Sequence, residues 1–142
     1  MIYQKDYILR MIEMIGELVA AILGNIKKGQ YKQAEESLEK AYYDFLKEDA
    51  AFFRKLPAED ITAELLQKHN YTNGHLEILS ELFFAEGELN YSREKYAQSL
   101  ESFDKSHILL KHIIKETRSF SLEKNEMVAL INDRIKSMEN LA

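Results

Sequence analysis

The sequence predicts an all-α protein made of stacked antiparallel helical hairpins, about six helices closed by a C-terminal capping helix. Three observations carry this. The 142 residues include one proline and five glycines, too few turn formers for a many-stranded sheet protein. Apolar residues recur at steps of three and four along most of the chain. One phrase also occurs twice: Gly29-Gln30-Tyr31 leads into Ala34, Leu38 and Ala41, and Glu94-Lys95-Tyr96 leads into Ser99, Phe103 and Ser106. The spacing places each trio on one stripe of a helix, where small residues let a neighbouring helix approach closely.

The first helix is expected from about Asp6, a suitable N-cap, to Lys28, with Lys27 and Lys28 beside its carbonyl end. Ile8, Ile12, Ile15, Val19, Ile22 and Ile26 form one stripe, and Leu9, Met11, Met14, Leu18 and Leu23 widen it beyond the usual core-facing arc. Two readings explain that width. Either two helices of the same chain sandwich this one, or Ile8, Ile12, Ile15 and Val19 form a self-association surface and the protein is a homodimer. Asn25 to Gly29 supplies the turn. A second helix from Gln30 carries Tyr31, Ala34, Leu38, Ala41 and Phe45 inward, with Lys32, Glu35, Glu36, Glu39 and Lys40 mostly outward. Asp49 is placed to cap a short continuation through Phe52 and Phe53, which Pro57 separates from a helix over Glu59 to Lys68.

Asn70 to Gly74 is the strongest loop signal, since Asn-Gly favours positive φ and Thr72 or Asn73 can cap the next helix. That helix, from His75, buries Leu76, Leu79, Leu82, Phe83 and Leu89. A turn over Asn90 to Arg93 precedes a long helix reaching Arg118, with Tyr96, Leu100, Phe103, Leu110 and Ile114 inward. Lys111, Lys115 and Arg118 complement its carbonyl end. The last helix, Ser121 to Asn140, buries Val128, Ile131, Ile135 and Met138 and seals the stack. One domain spans residues 1–142.

The repeated phrase resembles the tetratricopeptide repeat, a helix-turn-helix unit of about 34 residues. The second copy is the better match, with Phe83 and Gly87 where the family places its first-helix aromatic and glycine. It departs at Asn90, Glu86 and Lys111, which stand for the usual tyrosine, leucine and proline; in the first copy Ile22 replaces the glycine. Tyr31 and Tyr96 lie 65 residues apart, so the resemblance implies three hairpins with an irregular middle one. The segment from Lys5 to Glu13, followed by Gly29-Gln30-Tyr31, also resembles the start of a family of short uncharacterised bacterial proteins, which implies a bacterial source and no particular activity.

Composition narrows the function classes. A net charge of −5 disfavours a nucleic-acid partner. No cysteine is present, which removes thiolate catalysis and disulfides and suits a reducing cytoplasm. Lys5, Asp6, Arg10, Glu13 and Glu17 interrupt the first apolar segment, so neither export nor membrane insertion is expected. Four histidines without a nucleophile elbow or phosphate loop argue against an enzyme, and no cofactor is implied. Glu77 and Glu81, one turn apart, would do acid–base work only if burial raised one of them.

If the tetratricopeptide resemblance holds, the first helix of each hairpin lines a concave side, where Glu81, Phe84, Glu88 and Tyr91 make an acidic and aromatic strip. It suits a protein or peptide partner with basic and apolar side chains, unless the chain's own helices fill it. No Lys, Arg and Asn set is present to clamp a peptide's terminal carboxylate. The expectation is a non-enzymatic protein that binds another protein or itself. The alternative is a small-ligand or metal-binding helical protein using Asp104 and His107, a single pair where a carboxylate-bridged dimetal site needs two.

Overall fold

The computed structural model describes residues 2–117 and 121–141, which are helical apart from the connections and contain no strand. Among the described residues seven helices pack together: α1 (Ile2–Lys27), α2 (Tyr31–Leu46), α3 (Ala50–Lys55), α4 (Ile61–Lys68), α5 (Asn73–Ser92), α6 (Tyr96–Thr117) and α7 (Leu122–Glu139). Helix α1 begins ahead of Asp6, so that residue lies within the helix rather than capping it. Arg118, the last of the predicted basic cluster, lies outside the described residues.

The two copies of the repeated phrase enter their helices through the same turn. Gly29 has φ 76° and Glu94 has φ 61°. Gln30 N–H donates to the Asn25 carbonyl at 2.8 Å, and Lys95 N–H donates to the Asn90 carbonyl at 2.8 Å. This six-residue closure satisfies a carbonyl that the ending helix would otherwise leave without a partner. Beyond each turn the phrase packs as its spacing predicts. Ala34, Leu38, Ala41, Ser99, Phe103 and Ser106 are all at most 2 % exposed.

Between α2 and α5 the chain forms two short helices, α3 and α4, on either side of Pro57, where the sequence places a short continuation through Phe52 and Phe53 and a helix over Glu59 to Lys68. The Asp49 side chain accepts from Phe52 N–H at 3.0 Å and starts α3. Pro57 holds Leu56 extended, with φ −72° and ψ 124°, which ends it. Thr72 caps α5 reciprocally: its hydroxyl accepts from His75 N–H, and its own N–H donates to His75 Nδ1 at 3.0 Å. A histidine thus takes the place of the usual Glu or Gln of a capping box. Nδ1 must be the bare nitrogen to accept, and burial lowers the pKa of this imidazole, which keeps it neutral.

Helix α5 is central, packing against α1, α2 and α6. It buries residues on all sides, including Leu76, Leu79, Leu82, Phe83, Phe84 and Leu89. The main core joins α1, α2, α3, α4, α5 and α6 around Ile15, Ile22, Tyr42, Phe53 and Phe83. A second cluster of Phe84, Phe103, Leu110, Ile131 and Met138 fixes α7.

Most of the apolar surface on α1 is covered within the chain, though Leu9 and Met14 are not. Ile15 and Val19, two of the four candidates for self-association, are core residues at 0 % and 4 % exposure, because α2 and α5 both pack on this helix. Ile12 is partly buried against the same core, and Ile8 is half-buried. The large apolar α1 side chains that face outward are Tyr7, Leu9 and Met14, each more than half exposed.

Candidate functional site

The strip predicted for a partner is largely engaged by α7. Phe84 is 4 % exposed and packs on Phe103 and the α7 apolar residues. The Arg134 guanidinium donates to the Glu88 carboxylate at 3.1 Å and lies 4.5 Å from the centroid of the Tyr91 ring. Tyr91 Oη meets Ser137 Oγ at 3.1 Å. The acidic and aromatic strip has therefore found the basic and apolar companion its chemistry calls for, inside its own chain. Of the four residues, Glu81 lines an open groove that α7 does not fill.

That space is a groove of about 710 Å³ between α1, α5 and α7. Ile12, Ala20, Leu110 and Met127 give it an apolar floor; Glu13, Glu17, Glu77, Glu81 and Glu123 stand along it, and Lys124 is its one cation among the lining residues. Lys124 Nζ is 3.3 Å from Glu77 Oε1, so part of one carboxylate's charge is offset. Burial and then the neighbouring Glu77 charge push the Glu81 carboxyl up to about 7, with Lys124 acting against them. The condition set for acid–base work, that burial raise one carboxyl of the pair, is met at Glu81. What the arrangement does chemically is offer negative charge over an apolar surface.

A second cavity, about 250 Å³, lies on the opposite side of α5 between α2, α3 and α6. Its floor is a polar network that sequence reasoning missed. Glu86, 6 % exposed, accepts from Tyr42 Oη at 3.0 Å, from Arg54 Nη2 at 2.9 Å and Nε at 3.1 Å, and from Ser102 Oγ at 3.3 Å. Arg54 also reaches Glu39. Lys105, 3 % exposed, donates to the Arg54 carbonyl at 2.7 Å and sits over the Phe83 ring at 5.5 Å. Burial raises the Tyr42 hydroxyl pKa, the Glu86 charge adds to it, and burial lowers that of Lys105. Each group is spent on another of the same chain, and the result ties the short α3 to α2, α5 and α6. The signal was present as Glu86 standing where the repeat resemblance expects leucine.

Asp104 is exposed and His107 half-buried, on one face of α6. Burial raises the Asp104 pKa and lowers that of His107. Among the described residues no group of three or more His, Asp or Glu side chains converges as a metal site would require. His112 Nε2 meets Asn73 Oδ1 at 3.0 Å, and His69 packs edge-on against Phe52, so neither joins that pair. No helix among the described residues is long and apolar enough to cross a membrane. Comparison with family models, curated proteins and solved structures returns no match.

Proposed function

We propose that the chain is a non-enzymatic helical-repeat protein, built on tetratricopeptide-like hairpins, that holds a cationic amphipathic segment of a partner protein in the groove between α1, α5 and α7. The repeat reading is supported by the matching turns at Gly29 and Glu94 and by α5 packing on both helices of the first hairpin, as a following repeat does. The observation that carries the functional reading is the groove itself: an apolar floor bordered by five carboxylates and one partly neutralised ammonium. A helix with Leu at i, i+3 and i+4 would lay those residues on Ile12, Leu110 and Met127 and set Lys or Arg against Glu77, Glu81 and Glu123. The pairing of α7 with Glu88 and Tyr91 is an internal example of the same recognition.

The test is fluorescence anisotropy with a labelled synthetic helix of Leu and Lys at that spacing, beside a counterpart carrying Glu for Lys. The Lys peptide is expected to bind and to weaken as salt rises, since the attraction is screened over about 8–10 Å at physiological ionic strength. Glu77→Lys with Glu123→Lys should weaken it roughly tenfold or more. Equal binding of the two peptides, or of neither, would overturn the reading.

A further inference from the structure

The outward face of α1 is self-complementary. Arg10 and Glu17 lie two helical turns apart on it, both exposed, and among the described residues neither makes an ion pair or hydrogen bond. Tyr7 and Met14, 57 % and 56 % exposed, run along one side of them. Ala20 and Ala21 are exposed further along the same face, and a Cβ built at Gly24 meets nothing within 4 Å, so this end is low and open. Between residues 6 and 21 Arg10 is the one cation, with Asp6, Glu13 and Glu17 as exposed acids around it, and bulk stands at one end of the face against smallness at the other.

We infer that α1 pairs with α1 of a second copy, antiparallel about a two-fold axis near Met14. A two-fold that sets Arg10 against Glu17 of the other copy necessarily sets Glu17 against the other Arg10, so one match is made twice. The same operation places Tyr7 over the Ala20 and Ala21 end of its mate, where no side chain blocks a flat ring, and brings the two Met14 side chains together at the axis. A parallel pairing would place Arg10 beside Arg10 and Tyr7 beside Tyr7. The face is therefore complementary to itself in one orientation. Its residues differ from the inward Ile15 and Val19, whose burial excludes them from any such contact. Glu17 and Ala20 also line the groove, so the pairing and the groove reading share that edge of α1; they are told apart because Glu77→Lys with Glu123→Lys should weaken the Lys peptide without changing the dimer.

Sedimentation velocity over a concentration series tests it, with circular dichroism to confirm that each variant keeps its helices. The wild-type chain is expected to dimerise. Arg10→Glu and Glu17→Arg should each raise the dissociation constant roughly tenfold or more by turning two attractions into two repulsions. Arg10→Glu combined with Glu17→Arg should return it to within about threefold of wild type, the signature of a direct pair. Met14→Lys should give a folded monomer. A wild-type monomer at several hundred micromolar, a dimer insensitive to the single changes, or a double variant that stays as weak as the singles would each overturn the proposal.

Discussion

Gly87 of α5 lies directly beneath the ring of Phe103 in α6: a Cβ built on the glycine would come within 2.6 Å of two ring carbons. One residue's missing side chain is thus the space the other fills. Ser99, one turn before Phe103, donates to the Gly87 carbonyl at 2.8 Å, and Ser106 donates to the Ser80 carbonyl at 2.7 Å. The small residues of the repeated phrase bring the helices close and also bond the backbone they approach. Gly87→Ala should therefore destabilise the protein by about 1–3 kcal/mol, despite the better helix propensity of Ala, because Phe103 is 0 % exposed and has nowhere to move. Urea unfolding followed by circular dichroism measures this, and an Ala variant at least as stable as wild type would contradict the packing described.

The paired turns give two changes of opposite sign. Gly29 and Glu94 both occupy the left-handed region, which costs a residue with a side chain roughly 1–2 kcal/mol relative to glycine. A Cβ at Gly29 meets nothing within 4 Å, so only that conformational cost applies. Gly29→Ala should destabilise by about 1 kcal/mol. Glu94→Gly should stabilise by about 0.5–1 kcal/mol, a smaller gain because the flexible residue also loosens the unfolded chain. Denaturant midpoints of the two variants check the signs.

The repeated phrase was legible in the sequence because its information is local: small residues at helical spacing, a turn residue just before, a tyrosine between. Thr72, Asp49 and Pro57 were legible for the same reason, since caps and proline stops act within a few positions. The Glu86 network was not, because its members come from α2, α3, α5 and α6, and Tyr42 reaches Glu86 across 44 positions. On its own helix Glu86 reads as an ordinary solvated acid. The strip of Glu81, Phe84, Glu88 and Tyr91 was recognisable by composition, yet which helix would cover it depends on how α7 returns across α5, a matter of interhelical geometry. Arg134, a cation beside the apolar positions Ile131, Ile135 and Met138 of α7, was the available hint. The groove was half visible: Glu77 and Glu81 stood out, while Glu13, Glu17 and Glu123 reach it from helices far apart in sequence.

The network at Glu86 makes a prediction about stability in which breaking one partner is worse than removing the charges together. Arg54→Met leaves the Glu86 carboxylate buried with only Tyr42 and Ser102 as donors. The cost should be about 2–3 kcal/mol, below the 3–5 kcal/mol of a fully buried pair because the Arg54 side chain is 43 % exposed. Adding Glu86→Gln removes the stranded charge while keeping an acceptor for Tyr42, and should recover about half of that loss. A double-mutant cycle by chemical denaturation measures the coupling, and strict additivity would show that the ion pair does not act as a unit.

Glu81 links the groove to pH. Its carboxyl titrates near 7, while an unfolded glutamate titrates near 4.5. Between those values the folded chain holds a proton that the unfolded chain has released, so stability falls as pH rises through that window and the deficit is complete above it. Glu81→Gln removes the titration, and the variant should therefore exceed wild type in melting temperature at pH 8 but not at pH 4. The same carboxyl gives the groove reading a pH signature. A docked ammonium or guanidinium favours the ionised form, so binding expels the proton, and the Lys-bearing helix should bind more tightly at pH 8 than at pH 6. That difference should vanish in Glu81→Gln, where no proton is exchanged. Thermal unfolding at the two stability pH values and anisotropy titrations at the two binding pH values separate the claims: a stability difference that ignores pH would place Glu81 in ordinary solvent, whereas a pH-independent affinity would remove it from the docking surface while leaving its burial intact.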